Sequence, residues 1–159
     1  MRALFIQFWR ENMIDSFFRN KSVLVTGGCG IIGRELIIKL VATGAKVRCV
    51  DFLDLPKELD KLDIEFYKLD LSDENSQFLF RYNPEYVFHL AADFERSEET
   101  FEFWDSNFKN NVLASRNLLN KVIKCSNLKK IVFASSYLVY DKSLYTSERT
   151  FLKEDSAIR

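Results

Sequence analysis

The hydrophobic positions fall into short apolar blocks separated by polar, glycine- or proline-bearing breaks, and the spacing within each block predicts its element. Val23, Leu24 and Val25 form an apolar run that breaks into closely spaced glycines. The run resumes as Ile31, Ile32, Leu36, Ile37, Leu40 and Val41 at helical spacing, and Gly44 stops the helix. Residues 46–50 read as a second strand ending in Asp51, and residues 52–63, with Pro56 and many charges, predict a loop with room for a helical turn. Residues 64–69 predict a third strand, after which Ser72 is placed to cap a short helix running towards Arg81. Asn83-Pro84 marks a turn, and the continuous apolar run over residues 86–92 fits a buried parallel strand. Residues 100–126 predict a long helical segment carrying Phe103, Trp104, Phe108, Val112, Leu118, Leu119, Val122 and Ile123, and residues 131–135 a fifth strand.

Strands alternating with helices imply an α/β fold. Right-handed crossovers then give a Rossmann-like, doubly wound parallel sheet of five strands in the order 3-2-1-4-5, with a crevice at the carboxyl ends. Ahead of it, Leu4, Phe5, Phe8, Trp9, Met13, Phe17 and Phe18 lie near helical spacing with Arg2, Arg10, Glu11 and Asp15 between them. The division predicted is an amphipathic helix over residues 1–20 and a domain over residues 21–159. The helix suits packing on the domain or on a partner subunit; a membrane-interface anchor is the alternative.

The glycine block carries the candidate chemistry. From Gly27 it reads T-G-x-x-G-x-x-G, with Gly27, Gly30 and Gly33, and from Gly28 it reads G-x-G-x-x-G. A glycine at the strand end allows a tight turn, one without a Cβ lets a pyrophosphate approach the backbone, and one in the first helical turn lets helix and strand pack closely. The amides and positive dipole end of the helix then face the phosphates. A purely structural glycine turn is the alternative. Asp51, roughly 20 positions beyond Gly33, is where a carboxylate accepts hydrogen bonds from an adenosine ribose. It would also repel a 2′-phosphate, and the next basic residue, Lys57, lies beyond the turn, so NAD is expected rather than NADP.

Composition narrows the classes. The 23 basic and 23 acidic side chains cancel, so net charge suggests neither a nucleic-acid nor a membrane-surface partner. Three cysteines without metal-ligand spacing predict reduced thiols, a cytoplasmic location and no metal. The 15 Phe, six Tyr and two Trp predict an aromatic core or a surface meant for burial elsewhere.

From residue 21 to about 141 the motifs resemble, in order, the extended short-chain dehydrogenase/reductase family, in its NAD-dependent epimerase/dehydratase branch acting on nucleotide sugars. Thr26-Gly-Gly-Cys-Gly-Ile-Ile-Gly33 is similar to the phosphate turn, which implicates Gly27, Gly30, Ile31, Ile32 and Gly33 in cofactor binding, and Asp51 to the ribose acid. Asp70-Leu71 resembles the pair that meets the adenine, and Phe88-His-Leu-Ala-Ala-Asp93 the segment along the cofactor, implicating Leu90, Ala91 and Ala92. Asn111-Val-Leu-Ala-Ser-Arg-Asn-Leu-Leu119 resembles the central-helix motif, whose first Asn is structural. Residues 131–140 resemble the fifth strand and serine turn, placing the catalytic serine on Ser136. His89, the only histidine, sits in an apolar strand and reads as a packed residue rather than a base.

The family's proton transfer needs a Tyr-x-x-x-Lys pair on a later helix, and none follows Ser136. Tyr145-Thr-Ser-Glu-Arg149 follows the serine too closely, and arginine replaces lysine poorly. Residues 151–155 resemble the loop before that helix. The expectation is therefore the amino-terminal, NAD-binding part of such an oxidoreductase, truncated before its substrate domain, with weak NAD binding and no turnover alone. A nucleotide sugar is the expected substrate of the full-length parent. Homo-oligomerisation or a complementing chain is expected to cover an open fifth strand and the long helix. The rival expectation is a non-catalytic dinucleotide-binding or protein-interaction module.

Overall fold

The computed structural model describes residues 17–74, 83–93, 100–136 and 139–141, with positions 153, 155, 156 and 158. Strands β1 (Ser22–Thr26), β2 (Lys46–Asp51), β3 (Ile64–Lys68), β4 (Tyr86–His89) and β5 (Lys130–Phe133) form one parallel sheet in the order β3-β2-β1-β4-β5, as the alternation predicts. Helix α1 (Ile31–Ala42) joins β1 to β2. Helix α2 (Phe101–Asn107), a π-helical segment (Phe108–Leu113) and helix α3 (Ala114–Val122) follow one another between β4 and β5.

The strands at the middle of the sheet are buried on both faces, which is why β1 reads as an unbroken apolar run. Val23 and Val25 pack with Ile37, Leu40, Val47 and Cys49 beneath α1, whereas Leu24 joins Val87, Leu118 and Val122 beneath α3. Gly44, at φ +80°, ends α1, and its carbonyl accepts from the Asn20 amide at 2.9 Å. Part of the aromatic surplus packs on the core: Phe18 stacks edge-on against Tyr86 at 5.3 Å, with the exposed Phe17 over Tyr86 at 5.5 Å. Another part is surface: Phe101, Trp104 and Phe108 are exposed along α2 and the π segment, as are Val132 and Phe133 on β5 at the sheet's edge.

Two elements differ from their sequence pattern. β4 ends at His89 rather than running to residue 92. Its neighbour β1 turns away at Gly27, so beyond the Leu90 amide's bond to the Thr26 carbonyl the apolar residues have no strand to pair with. The long helix is wound as a π segment at its centre, where the Ser115 hydroxyl donates to the Asn111 carbonyl and competes with the usual backbone ladder. Most of the segment predicted as an N-terminal helix (residues 1–16), most of that predicted as a helix after Ser72, and the Tyr145 to Arg149 stretch lie outside the described residues, as does part of the segment 151–155 predicted as a loop. No described helix is long and apolar enough to cross a membrane.

Candidate functional site

The site is built at the carboxyl ends of β1, β2, β3 and β4. β1 gives way to Gly27 at φ +70°, a conformation that an L side chain enters only with strain, and the Gly27 amide is tied to the Val50 carbonyl at 3.0 Å. A Cβ on Gly27 would lie 2.5 Å from the Ala91 amide nitrogen, and one on Gly33 would lie 2.2 Å from the Gly27 carbonyl oxygen. The turn can therefore close only with glycine at both places. Gly30 caps α1 with extended backbone and no side-chain hydrogen bond, so the first-turn amides are left for another acceptor.

Asp51, at the end of β2, is 6% exposed. Its Oδ2 accepts from the Cys29 amide and its Oδ1 from the Leu53 amide, both at 2.9 Å. The Cys29 thiol also donates to this carboxylate, so three of an ionised carboxylate's roughly four acceptor positions are taken. At the end of β3, Asp70 accepts from the Ser72 amide and hydroxyl and pairs with Lys109 at 3.1 Å. Partial burial raises its pKa, but these partners outweigh burial and hold the carboxyl below its usual range. The Asn117 amide group donates to the carbonyls of Leu71 and Ser72 at 3.2 and 2.9 Å, fixing that segment against α3.

After β4, residues 90–93 run across the glycine turn, and Asp93 is gripped on both sides of its backbone by Asn111. The Asp93 amide donates to Asn111 Oδ1 at 2.7 Å, and Asn111 Nδ2 donates to the Asp93 carbonyl at 3.0 Å. Asn111 thus has the structural position expected of it, and it ties the central helix to the chain leaving β4.

These segments enclose a cavity of about 180 Å3. Gly27, Gly30, Asp51, Asp70, Leu71, Leu90, Ala91 and Ala92 line it together, although they come from four separate stretches of sequence. Phe52, Leu53, Asp93, Asn110 and Ala114 also line it and were not singled out from sequence. Each lies within three positions of a residue that was, and Asp93 and Ala114 fall inside the motifs over 88–93 and 111–119, which is the signal the sequence holds for them. Ile31 and Ile32 do not line the cavity; they stand 82% and 72% exposed at the start of α1. Gly33 is buried beneath Gly27, and Ser136 is exposed beyond β5, also outside the cavity lining.

His89 is 1% exposed, between the hydroxyls of Thr26 (2.6 Å from Nδ1) and Ser115 (2.8 Å from Nε2). Burial pushes its pKa down to about 4, so at neutral pH the imidazole is an uncharged bridge between β1 and α3. All three cysteines are free thiols. Burial, followed by the Asp51 carboxylate, pushes Cys29 up to about 11; burial and the neighbouring Cys29 push Cys49 up to about 12. Neither is a ready thiolate. Among the described residues no group of three or more His, Cys, Asp or Glu is gathered as a metal site.

The sequence profile of the NAD dependent epimerase/dehydratase family matches residues 23–156. The chain belongs to that family. NAD is the family's cofactor, in keeping with the glycine turn and Asp51. The family chain is 37% identical over 128 residues to the bifunctional protein GAL10 of Pachysolen tannophilus, covering 74% of itself and 18% of that protein. Its fold matches the epimerase Mth375 of Methanothermobacter thermautotrophicus with a TM-score of 0.78 and 29% identity, over 96% of this chain and 45% of that one. It matches MoeE5, solved with UDP-glucuronic acid and NAD, with a TM-score of 0.68 and 31% identity, over 87% of this chain and 42% of that one. The family chain thus spans less than half the length of each of these proteins.

Proposed function

We propose that these residues form the NAD-holding part of an oxidoreductase acting on a nucleotide-linked sugar. The observation that carries the reading is the single cavity joining the glycine turn to Asp51, Asp70–Leu71 and residues 90–92. The lining fits the dinucleotide: Gly27 lets the turn close against Ala91, Gly30 presents backbone where a Cβ would stand in a phosphate's way, and Asp51 lines the same cavity as an acceptor for a ribose hydroxyl. Asp70 and Leu71 would meet the adenine, while Leu90, Ala91 and Ala92 would lie along the cofactor. Ile31, Ile32 and Gly33 contribute through the start of α1. When bound, the nicotinamide accepts a hydride from a sugar carbon and can return it. Ser136 would hydrogen-bond the reacting hydroxyl.

The nucleotide-sugar reading is supported by relatives such as MoeE5, whose complex holds UDP-glucuronic acid and NAD. These 159 residues hold no Tyr-x-x-x-Lys after Ser136, so on their own they are proposed to bind without turnover. The exposed Phe101, Trp104 and Phe108, with Val132 and Phe133 at the sheet edge, support self-association or a complementing chain. Three free thiols, two of them buried, suit a reducing, cytoplasmic setting. The same exposed aromatic stripe favours a second reading, a non-catalytic dinucleotide-binding module that docks a partner.

Calorimetric titration of the chain with NAD and NADP, beside an assay with UDP-glucose, tests both. NAD preferred over NADP, without sugar turnover, is the expected result. A folded chain that binds neither dinucleotide overturns the cofactor reading and advances a partner-docking role.

A further inference from the structure

Asp93 has a more constrained carboxylate than its position in a loop requires. Asn111 fixes its backbone from both sides, and its Oδ2 accepts from the Ser106 hydroxyl at 2.8 Å and from Asn110 Nδ2 at 3.2 Å. Asn110 and Asn111 are adjacent in the π segment, so the wide turn brings two successive side chains to one target. Asp93 and Asn110 both line the cavity. Among the described residues, Oδ1 of Asp93 accepts no hydrogen bond.

The sheet order says what faces it. β2, β1 and β4 lie side by side, so the glycine turn after β1 has Asp51 on one flank and Asp93 on the other. A dinucleotide is a pyrophosphate with a ribose diol on each side. A carboxylate repels a phosphate and accepts from a diol, so a fixed carboxylate on each flank of a phosphate turn matches that plan. We propose that Asp93 is a second ribose anchor, accepting hydrogen bonds through Oδ1 from the ribose on the nicotinamide side. Ser106 and Asn110 are positioning residues that hold its other oxygen. This rests on the dinucleotide reading above.

The test is titration of the 159-residue chain with NAD, ADP-ribose and ADP. The first two carry the second ribose and ADP does not. Asp93→Ala weakens NAD and ADP-ribose about tenfold, the worth of a hydrogen bond to a charged group, and leaves ADP within about twofold. ADP binding is also the check that the variant is folded. Ser106→Ala produces a smaller loss with the same ligand pattern. Equal losses for all three ligands, or no loss for NAD and ADP-ribose, overturn the assignment; the latter leaves Asp93 to a substrate hydroxyl or to structure alone. Failure of the unsubstituted chain to bind NAD or ADP overturns the dinucleotide reading itself, and Asp93's role with it.

Discussion

The Asp51 carboxylate holds the Cys29 amide at 2.9 Å, so the end of β2 and the phosphate turn after β1 are one hydrogen-bonded unit before any ligand arrives. A residue that served only a ribose would leave the fold untouched when removed. Asp51→Ala is instead expected to strand the amides of Cys29 and Leu53 and to cost about 1–3 kcal/mol of stability without cofactor. Urea unfolding of the ligand-free variant measures it. A variant as stable as the parent, yet impaired in NAD binding, would confine Asp51 to ligand contact.

Gly27 and Gly30 separate folding from binding. Gly27→Ala combines a φ of +70° with a Cβ 2.5 Å from the Ala91 nitrogen, and neither backbone can yield cheaply. A loss of about 3 kcal/mol or more is expected, read as a collapse of the melting temperature. Gly30 has φ −73°, and its added Cβ would meet only the Gly27 carbonyl oxygen, at 3.3 Å. Gly30→Ala should melt within a few degrees of the parent and lose NAD affinity by about tenfold or more, because the methyl projects where a phosphate would approach. Calorimetry on the folded variant decides it.

What the sequence made legible follows from what hydrophobicity reports. Val23, Leu24 and Val25 are apolar because both faces of β1 are buried, so strand and run coincide. At Leu90, Ala91 and Ala92 the run continues but the strand does not, because these residues line a cavity and Ala92 is exposed; apolarity alone does not mark strand pairing. The π segment was hidden for another reason. It goes with the side-chain bonds of Asn110, Asn111 and Ser115, which no hydrophobic pattern records, and six residues are too few for a change of helical period to show. Glycines and Asp51 were visible through spacing, whereas Asp93 closes the 88–93 motif without a role of its own there, and its role emerges only from its partners.

His89 makes acid stability a local measurement. Its folded pKa, lowered to about 4 by burial, lies below the ordinary 6.5 that it regains on unfolding. The unfolded chain therefore binds the extra proton first. The stabilisation is complete above about pH 6.5 and is lost as pH falls through that window towards 4. Between pH 7 and pH 5 the loss should be about 2 kcal/mol. It is the chain's only histidine, and the carboxyls of Glu65, Asp70 and Glu85 are held below their usual range, so they contribute at more acid pH. Urea unfolding at both pH values, on the parent and on His89→Gln, isolates the effect. A parent whose stability is flat across that interval would mean that the imidazole is already protonated or solvated in the fold.

Asn111 offers the sharpest test of how the central helix supports the cavity. Its side chain is an acceptor for the Asp93 amide and a donor to the Asp93 carbonyl, with Nδ2 also reaching Asn107 Oδ1 at 2.9 Å. Asn111→Asp keeps the acceptor but sets a carboxylate oxygen against the Asp93 carbonyl; Asn111→Leu keeps the volume and satisfies neither group. Both should destabilise by about 1–3 kcal/mol, since each leaves at least one part-buried backbone group without its partner. The Asp variant should retain the amide bond, so hydrogen exchange at the Asp93 amide separates the two: slow in the parent, slowed in Asn111→Asp, and fast in Asn111→Leu. Equal, rapid exchange in both variants would show that the grip on Asp93 acts through the carbonyl, and that the amide bond follows from it rather than standing alone.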